Sequence, residues 1–171
     1  FKSVEPGRWL IGAVTFRLPK QPVWKTDYAG ISEQLVGKTL DARIISDAII
    51  ALRQSKLPDP AVIGNAGSFF KNPLIAAEQF KVLKASYPNC PGWPQDDQVK
   101  LSAGWLIDQC GWKGKRVGDA GTYEKHALVL VNHGQATGAE IWQLAQSIIA
   151  SVQEKFGVRL EAEPNVIAAT A

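Results

Sequence analysis

Ser68 stands in the stretch Gly64-Asn65-Ala66-Gly67-Ser68-Phe69-Phe70-Lys71-Asn72-Pro73. A hydroxyl, a side-chain amide at Asn72 and the nearby cation of Lys56 are groups suited to an anionic ligand. Gly64 and Gly67 let the backbone turn sharply or approach a ligand closely. Upstream, Lys56-Leu57-Pro58-Asp59-Pro60 enters the stretch stiffened by two prolines. The pattern reads as a loop presenting Ser68, Lys56 and Asn72. The plainer account, a Gly-rich turn feeding a buried Phe69-Phe70 strand, uses the same residues.

Other chemistries fit less well. Ser68 is not in a G-x-S-x-G elbow, and His126 and His133 flank one apolar run seven residues apart, so a Ser/His/Asp hydrolase is disfavoured. Glu161 and Glu163 alternate with apolar residues, which puts both carboxylates on one side of a strand, about 6.6 Å apart. Such a pair can do acid–base work on a glycoside, or it can be a solvated face. Spacing does not choose between the two carboxylates. Cys90 and Cys110 show neither C-x-x-C nor metal-ligand spacing and read as free thiols of a reducing compartment. No metal site is expected. No phosphate-binding Walker loop or G-x-G-x-x-G is present.

Several elements must position these groups. Arg8–Leu18 alternates, with Leu10, Gly12, Val14, Phe16 and Leu18 on one face, and reads as a strand in need of partners. Tyr28 stands alone among turn formers; it is a surface tyrosine or an aromatic that covers a ligand. Thr39 or Asp41 caps a helix striped by Ile44, Ala48 and Leu52, with Arg53 and Lys56 at its C-terminal end, where cations suit the dipole. Leu74–Tyr87 reads as a helix, and 88–98 as a loop containing Trp93. Ser102 caps a short helix closed by Gly111, and 117–123 is a weak strand. Ala127–Val131 is a buried strand. Thr137-Gly138-Ala139-Glu140 is a capping box, opening a helix that Gly157 ends. A strand through Val158, Leu160 and Ala162 follows. Helices and strands mix without a βαβ rhythm, so the expected class is α+β.

The 171 residues suffice for a real core, and 46% hydrophobic with 20% charged residues is ordinary globular composition. A net charge of +3 is too mild for a nucleic-acid partner but suits a small anion. No apolar run reaches the ~20 residues of a membrane span, so no membrane partner is expected. The chain has no Met, and Phe1-Lys2-Ser3 does not open a signal peptide, so the expectation is a piece of a longer protein.

The stretch 64–73 with Lys56–Pro60 resembles the signature of the UDP-N-acetylenolpyruvoylglucosamine reductase (MurB) family. So do Ala103-Gly104-Trp105-Leu106-Ile107-Asp108-Gln109-Cys110 with Lys113-Gly114, then His126–Asn132, then the capped helix with Leu160–Glu163. The resemblance runs from Phe1 to about Ile167, and Tyr28 with the long middle region is similar to the type I branch. It implies an FAD-dependent, NADPH-consuming oxidoreductase of the cytoplasm. Such an enzyme reduces UDP-N-acetylglucosamine enolpyruvate to UDP-N-acetylmuramate for peptidoglycan, and so serves cell-wall growth and division.

The resemblance implies Ser68 as proton donor and Glu163 as the carboxylate that helps polarise the substrate. It also implies Lys56, Asn72 and Tyr28 as residues holding the UDP diphosphate and uridine. Arg53, Trp93, Lys113 and His126 are further candidates for the same pocket. The family's catalytic arginine lies in Tyr-Arg-x-Ser-x-Phe-Lys, of which this chain carries only Phe1-Lys2. Around Glu163 the chain departs from the family pattern, with Ala162 before it and Pro164-Asn165-Val166 after it.

The expected organisation is a tail of the flavin-binding domain at 1–57, a substrate-binding domain at 58–157 and a return segment at 158–171. The N-terminal flavin-binding region is the expected missing partner, no cofactor site is assigned to these residues, and the piece alone is expected to be inactive. A free-standing UDP-sugar-binding module without redox chemistry is the alternative reading.

Overall fold

A computed structural model describes Glu5, residues 8–28 and residues 30–167. The Phe1-Lys2 motif lies outside the described residues. Two compact units emerge, 1–49 and 50–171.

In the first unit lies α1, Ile31–Leu35; α2, Ala42–Lys56, begins in that unit and from Ile50 onward, Lys56 included, belongs to the second. Asp41 is the cap of α2: its Oδ1 accepts from the Ile44 N–H at 2.8 Å. Arg8–Leu18 is not a strand. A strand is defined by its ladder of backbone hydrogen bonds, and among the described residues no other segment pairs with it. Its apolar residues are exposed, Leu10 by 97%.

The second unit is α+β, built on two antiparallel sheets. Strands β1 (Gly64–Ser68), β7 (His126–Asn132), β6 (Ala120–Tyr123) and β5 (Arg116–Val117) lie side by side in that order, and β2 (Leu74–Ala76), β4 (Gln98–Leu101) and β3 (Gly92–Gln95) form the smaller sheet. Helices α3 (Ala77–Ser86), α4 (Ala103–Gln109) and α5 (Gly138–Phe156) complete it. One core unites Phe70, Leu101, Leu106, Ile107, Ile148 and Leu160, all nearly inaccessible to water.

Three sequence expectations change here. The stretch 64–68 is a strand rather than a loop: β1 pairs with β7, Gly64 opposite Asn132 and Ser68 opposite Val129. A bulge between Asn65 and Ser68 absorbs the glycine, with Gly67 at φ 73° and the Asn65 Oδ1 accepting from its N–H. Leu74–Ala76 is a strand before the helix, paired with β4, with Ile75 opposite Val99 and buried in the core. Residues 92–101 form a hairpin whose turn holds Asp96 at φ 53°, a left-handed conformation that Asp tolerates.

The capping box holds as read. Thr137 accepts from the Glu140 N–H while Glu140 accepts from the Thr137 N–H, and Gly157 at φ 65° ends α5. The last segment is shorter than the expected strand. It makes one bridge, Phe70 to Ala162, with Val158 and Leu160 in the core.

Candidate functional site

Asn72 leaves β1's continuation just before β2, and its position is set by a hydrogen bond. The Ala103 N–H donates to Asn72 Oδ1 at 3.0 Å. An N–H meets only the carbonyl end of a side-chain amide, so the amide NH2 is the end left for the cleft. That cleft, about 380 Å³, is lined by Asn72, Ser102, Trp105, Asp108, Lys113 and His126, with Lys125 and the β7 backbone beside them. It therefore unites Asn72, Lys113 and His126, residues distant in sequence.

Lys113 is held by the loop that carries it. The buried Thr122 hydroxyl of β6 donates to the Trp112 carbonyl and accepts from the Lys115 N–H. Gly114 turns the chain at φ 71°, against the Glu124 backbone. The Lys113 ammonium lies 3.9 Å from the Asp108 carboxylate, both partly exposed. A pair of this kind contributes little stability and leaves the cation ready for another anion.

His126 opens β7 opposite Tyr123. Its ring is half-buried, and its Nδ1 is enclosed without a hydrogen-bond partner. Burial pushes its pKa below the ordinary imidazole value, and the Lys56 and Lys113 cations push the same way. The carbonyl of its own backbone pulls in the opposite direction without meeting Nδ1 as a hydrogen bond. Lys56, the last residue of α2, is thus electrostatically part of this cleft although it does not line it.

Ser68 and Glu163 meet through the backbone. Phe70 bridges Ala162, the Glu163 N–H donates to the Phe69 carbonyl at 2.8 Å, and the Lys71 N–H donates to the Glu161 carbonyl at 2.9 Å. This register sets Glu163 beside Phe69, one residue from Ser68. The Glu161 carboxylate pairs with the Lys71 ammonium at 3.1 Å. Ser68 is exposed, while Phe69 and Phe70 anchor the stretch in the core, their rings edge to face with centroids 5.3 Å apart. The buried Phe69-Phe70 of the plainer account is present, while the expected presenting loop is a bulged strand with Ser68 exposed at its end.

Three candidates lie elsewhere. Arg53 lines a separate hollow of about 760 Å³ with Leu57, Pro58, Val62 and Tyr123. Trp93 stands on the outward face of the small sheet, opposite Lys100 and 54% exposed. Tyr28 belongs to the other unit and is exposed.

Sequence reasoning missed Ser102, Asp108 and Lys125 as cleft residues. Ser102 was legible as a cap, and it does cap α4 by accepting from the Trp105 N–H; its second role needs the pairing of β2 with β4. Among the described residues no cluster of His, Cys, Asp or Glu is set to hold a metal, and no helix is long and apolar enough to cross a membrane. Cys90 and Cys110 are free, with burial pushing both thiols up.

Residues 59–167 match the family model described as UDP-N-acetylenolpyruvoylglucosamine reductase, C-terminal domain. A UDP-N-acetylenolpyruvoylglucosamine reductase of Burkholderia lata is 54% identical over 170 residues, 96% of this chain and 49% of the relative. One of Chromobacterium violaceum is 52% identical over 171 residues, 98% of this chain and 50% of the relative. The crystal structure of UDP-N-acetylenolpyruvylglucosamine reductase from Thermus caldophilus shares 31% identity and a TM-score of 0.42, over 71% of this chain and 32% of that one. The chain spans about half the length of the curated relatives it matches.

Proposed function

The chain belongs to the UDP-N-acetylenolpyruvoylglucosamine reductase C-terminal domain family, and on that premise we propose that it is the UDP-sugar-binding part of such a reductase. The reaction is the NADPH- and FAD-dependent reduction of UDP-N-acetylglucosamine enolpyruvate to UDP-N-acetylmuramate, a cytoplasmic step toward peptidoglycan. The observation that carries the reading is the cleft where the Asn72 amide, Lys113, Lys125 and His126 converge, with Lys56 adding its field. Cations and amide donors around one small cleft suit a diphosphate.

The Gly-rich stretch is not a dinucleotide-binding turn. The glycines of β1 lie in an antiparallel pairing with β7 and lead into β2, not into a helix start that could take a pyrophosphate. In this proposal flavin and NADPH binding fall mainly to the part of the relatives that this chain does not span. In the same proposal 1–57 is the tail of that flavin-binding domain, 58–157 holds the substrate, and 158–171 leads back.

Ser68 donates a proton to the enol-like carbon of the substrate. A serine is a poor acid in water and serves only a strongly basic centre held against it. Glu163, one register position away, helps polarise the substrate carboxylate. Arg53 and Trp93, outside the cleft but in the same unit, are the residues proposed for the nucleotide beyond the diphosphate.

Calorimetric titration of this chain with UDP-N-acetylglucosamine tests it. Saturable binding is expected, weakened by added salt and weakened in both Lys56→Ala and Lys113→Ala. Absence of saturable binding, or binding indifferent to salt and to both substitutions, refutes the assignment of the cleft.

A further inference from the structure

An imidazole with an enclosed, unpartnered nitrogen is costly to leave as it stands. His126 lines the cleft from the first position of β7, and the groups facing it are mainly cationic. Lys56 comes from the end of α2, Lys113 from the turn after α4, and Lys125 from the turn just before β7. The acidic groups nearby are Asp108, 3.9 Å from Lys113, and Glu124, whose backbone lies against Gly114. Tyr123 is the cross-strand partner. In the free protein this surrounding keeps the ring neutral near pH 7, since burial and the Lys56 cation both oppose the charged form.

An anion in the cleft reverses the balance. Negative charge beside the ring favours imidazolium and offsets the lysine field, while a second N–H becomes available to donate. We propose that His126 is a proton-coupled ligand of this cleft, taking one proton from solvent as the diphosphate of a nucleotide sugar enters, so that the anion binds more tightly as pH falls. This rests on the reading of the cleft as the UDP-sugar site and adds to it a proton-linked role for His126 and a pH dependence.

The sign follows from linkage. The bound-state pKa of His126 lies above its free-state value, so affinity is highest below the free-state pKa. It declines as pH rises through the bound-state pKa and is flat above it. One proton limits the slope to about tenfold in Kd per pH unit.

The probe is UDP-N-acetylglucosamine, whose diphosphate diester does not itself titrate near neutrality. The two histidines of the chain, His126 and His133, give two ring signals by NMR, assigned with His133→Gln. Saturating probe should raise the titration midpoint of the His126 signal and leave His133 where it was. Calorimetry in buffers of different protonation enthalpy should report proton uptake by the wild type, and none by His126→Gln, which keeps a neutral donor. Binding with an unmoved His126 midpoint overturns the inference and leaves the cleft assignment standing. Equal proton uptake in His126→Gln does the same. No saturable binding at any pH overturns both.

Discussion

Asn72 has two ends with separable tasks, and two substitutions separate them. Its Oδ1 accepts from the Ala103 N–H at 3.0 Å, and Ala103 is fully buried. Asn72→Ala deletes the acceptor and leaves that N–H without a partner. A buried donor left unpaired costs ~1–3 kcal/mol. Asn72 itself is exposed, so water can reach the vacated space, and the low end, about 1 kcal/mol, applies. For a unit of this size that is about 3–5 °C in Tm. Asn72→Asp keeps an acceptor for Ala103, so its Tm should stay near wild type. It replaces the cleft-facing amide donor with a carboxylate oxygen, where the diphosphate is proposed to sit. Repulsion of about 1.4–3 kcal/mol in this partly solvated cleft corresponds to roughly ten- to hundredfold in Kd. Differential scanning calorimetry and titration with UDP-N-acetylglucosamine read the two effects independently. Equal destabilisation by Ala and Asp would show that the Ala103 contact does not orient the amide. Wild-type affinity in Asn72→Asp would remove Asn72 from the site.

Ser68→Ala, placed in the intact reductase, should leave the fold unchanged, since the exposed hydroxyl is replaced in a stretch held by Phe69 and Phe70. Turnover of the enolpyruvyl substrate should fall to or beyond the upper end of the ~100- to 10,000-fold range of positioned proton transfer, with reduction by NADPH spared. Stopped-flow kinetics showing both half-reactions equally slowed would make Ser68 structural. This chain alone should carry no stoichiometric FAD; one equivalent of flavin absorbance retained through gel filtration contradicts the assignment of the flavin to the other part of the relatives.

Local physics made much of this protein legible. The Thr137 capping box, the Gly157 stop and the Ser102 cap were readable because they depend on residues three or four apart, which the helix itself brings together. The apolar run of β7 was readable because a strand covered on both faces needs no polar alternation. Ser68 and Asn72 stood out by type and spacing, and Glu163 by the resemblance of its neighbourhood. The sequence did not show that Gly64–Ser68 is a paired strand, because glycines and a bulge carry no strand propensity and only β7 supplies the ladder. Spacing alone treated Glu161 and Glu163 alike; that Glu161 lies against Lys71 and Glu163 against Phe69 comes from pairing across some ninety residues of chain. Asn72, Lys113 and His126 share a cleft because β2 pairs with β4, Thr122 pins the loop at Trp112, and β6 turns into β7. Each is a contact between distant segments, and their convergence is decided by burial of a common core rather than by any local pattern.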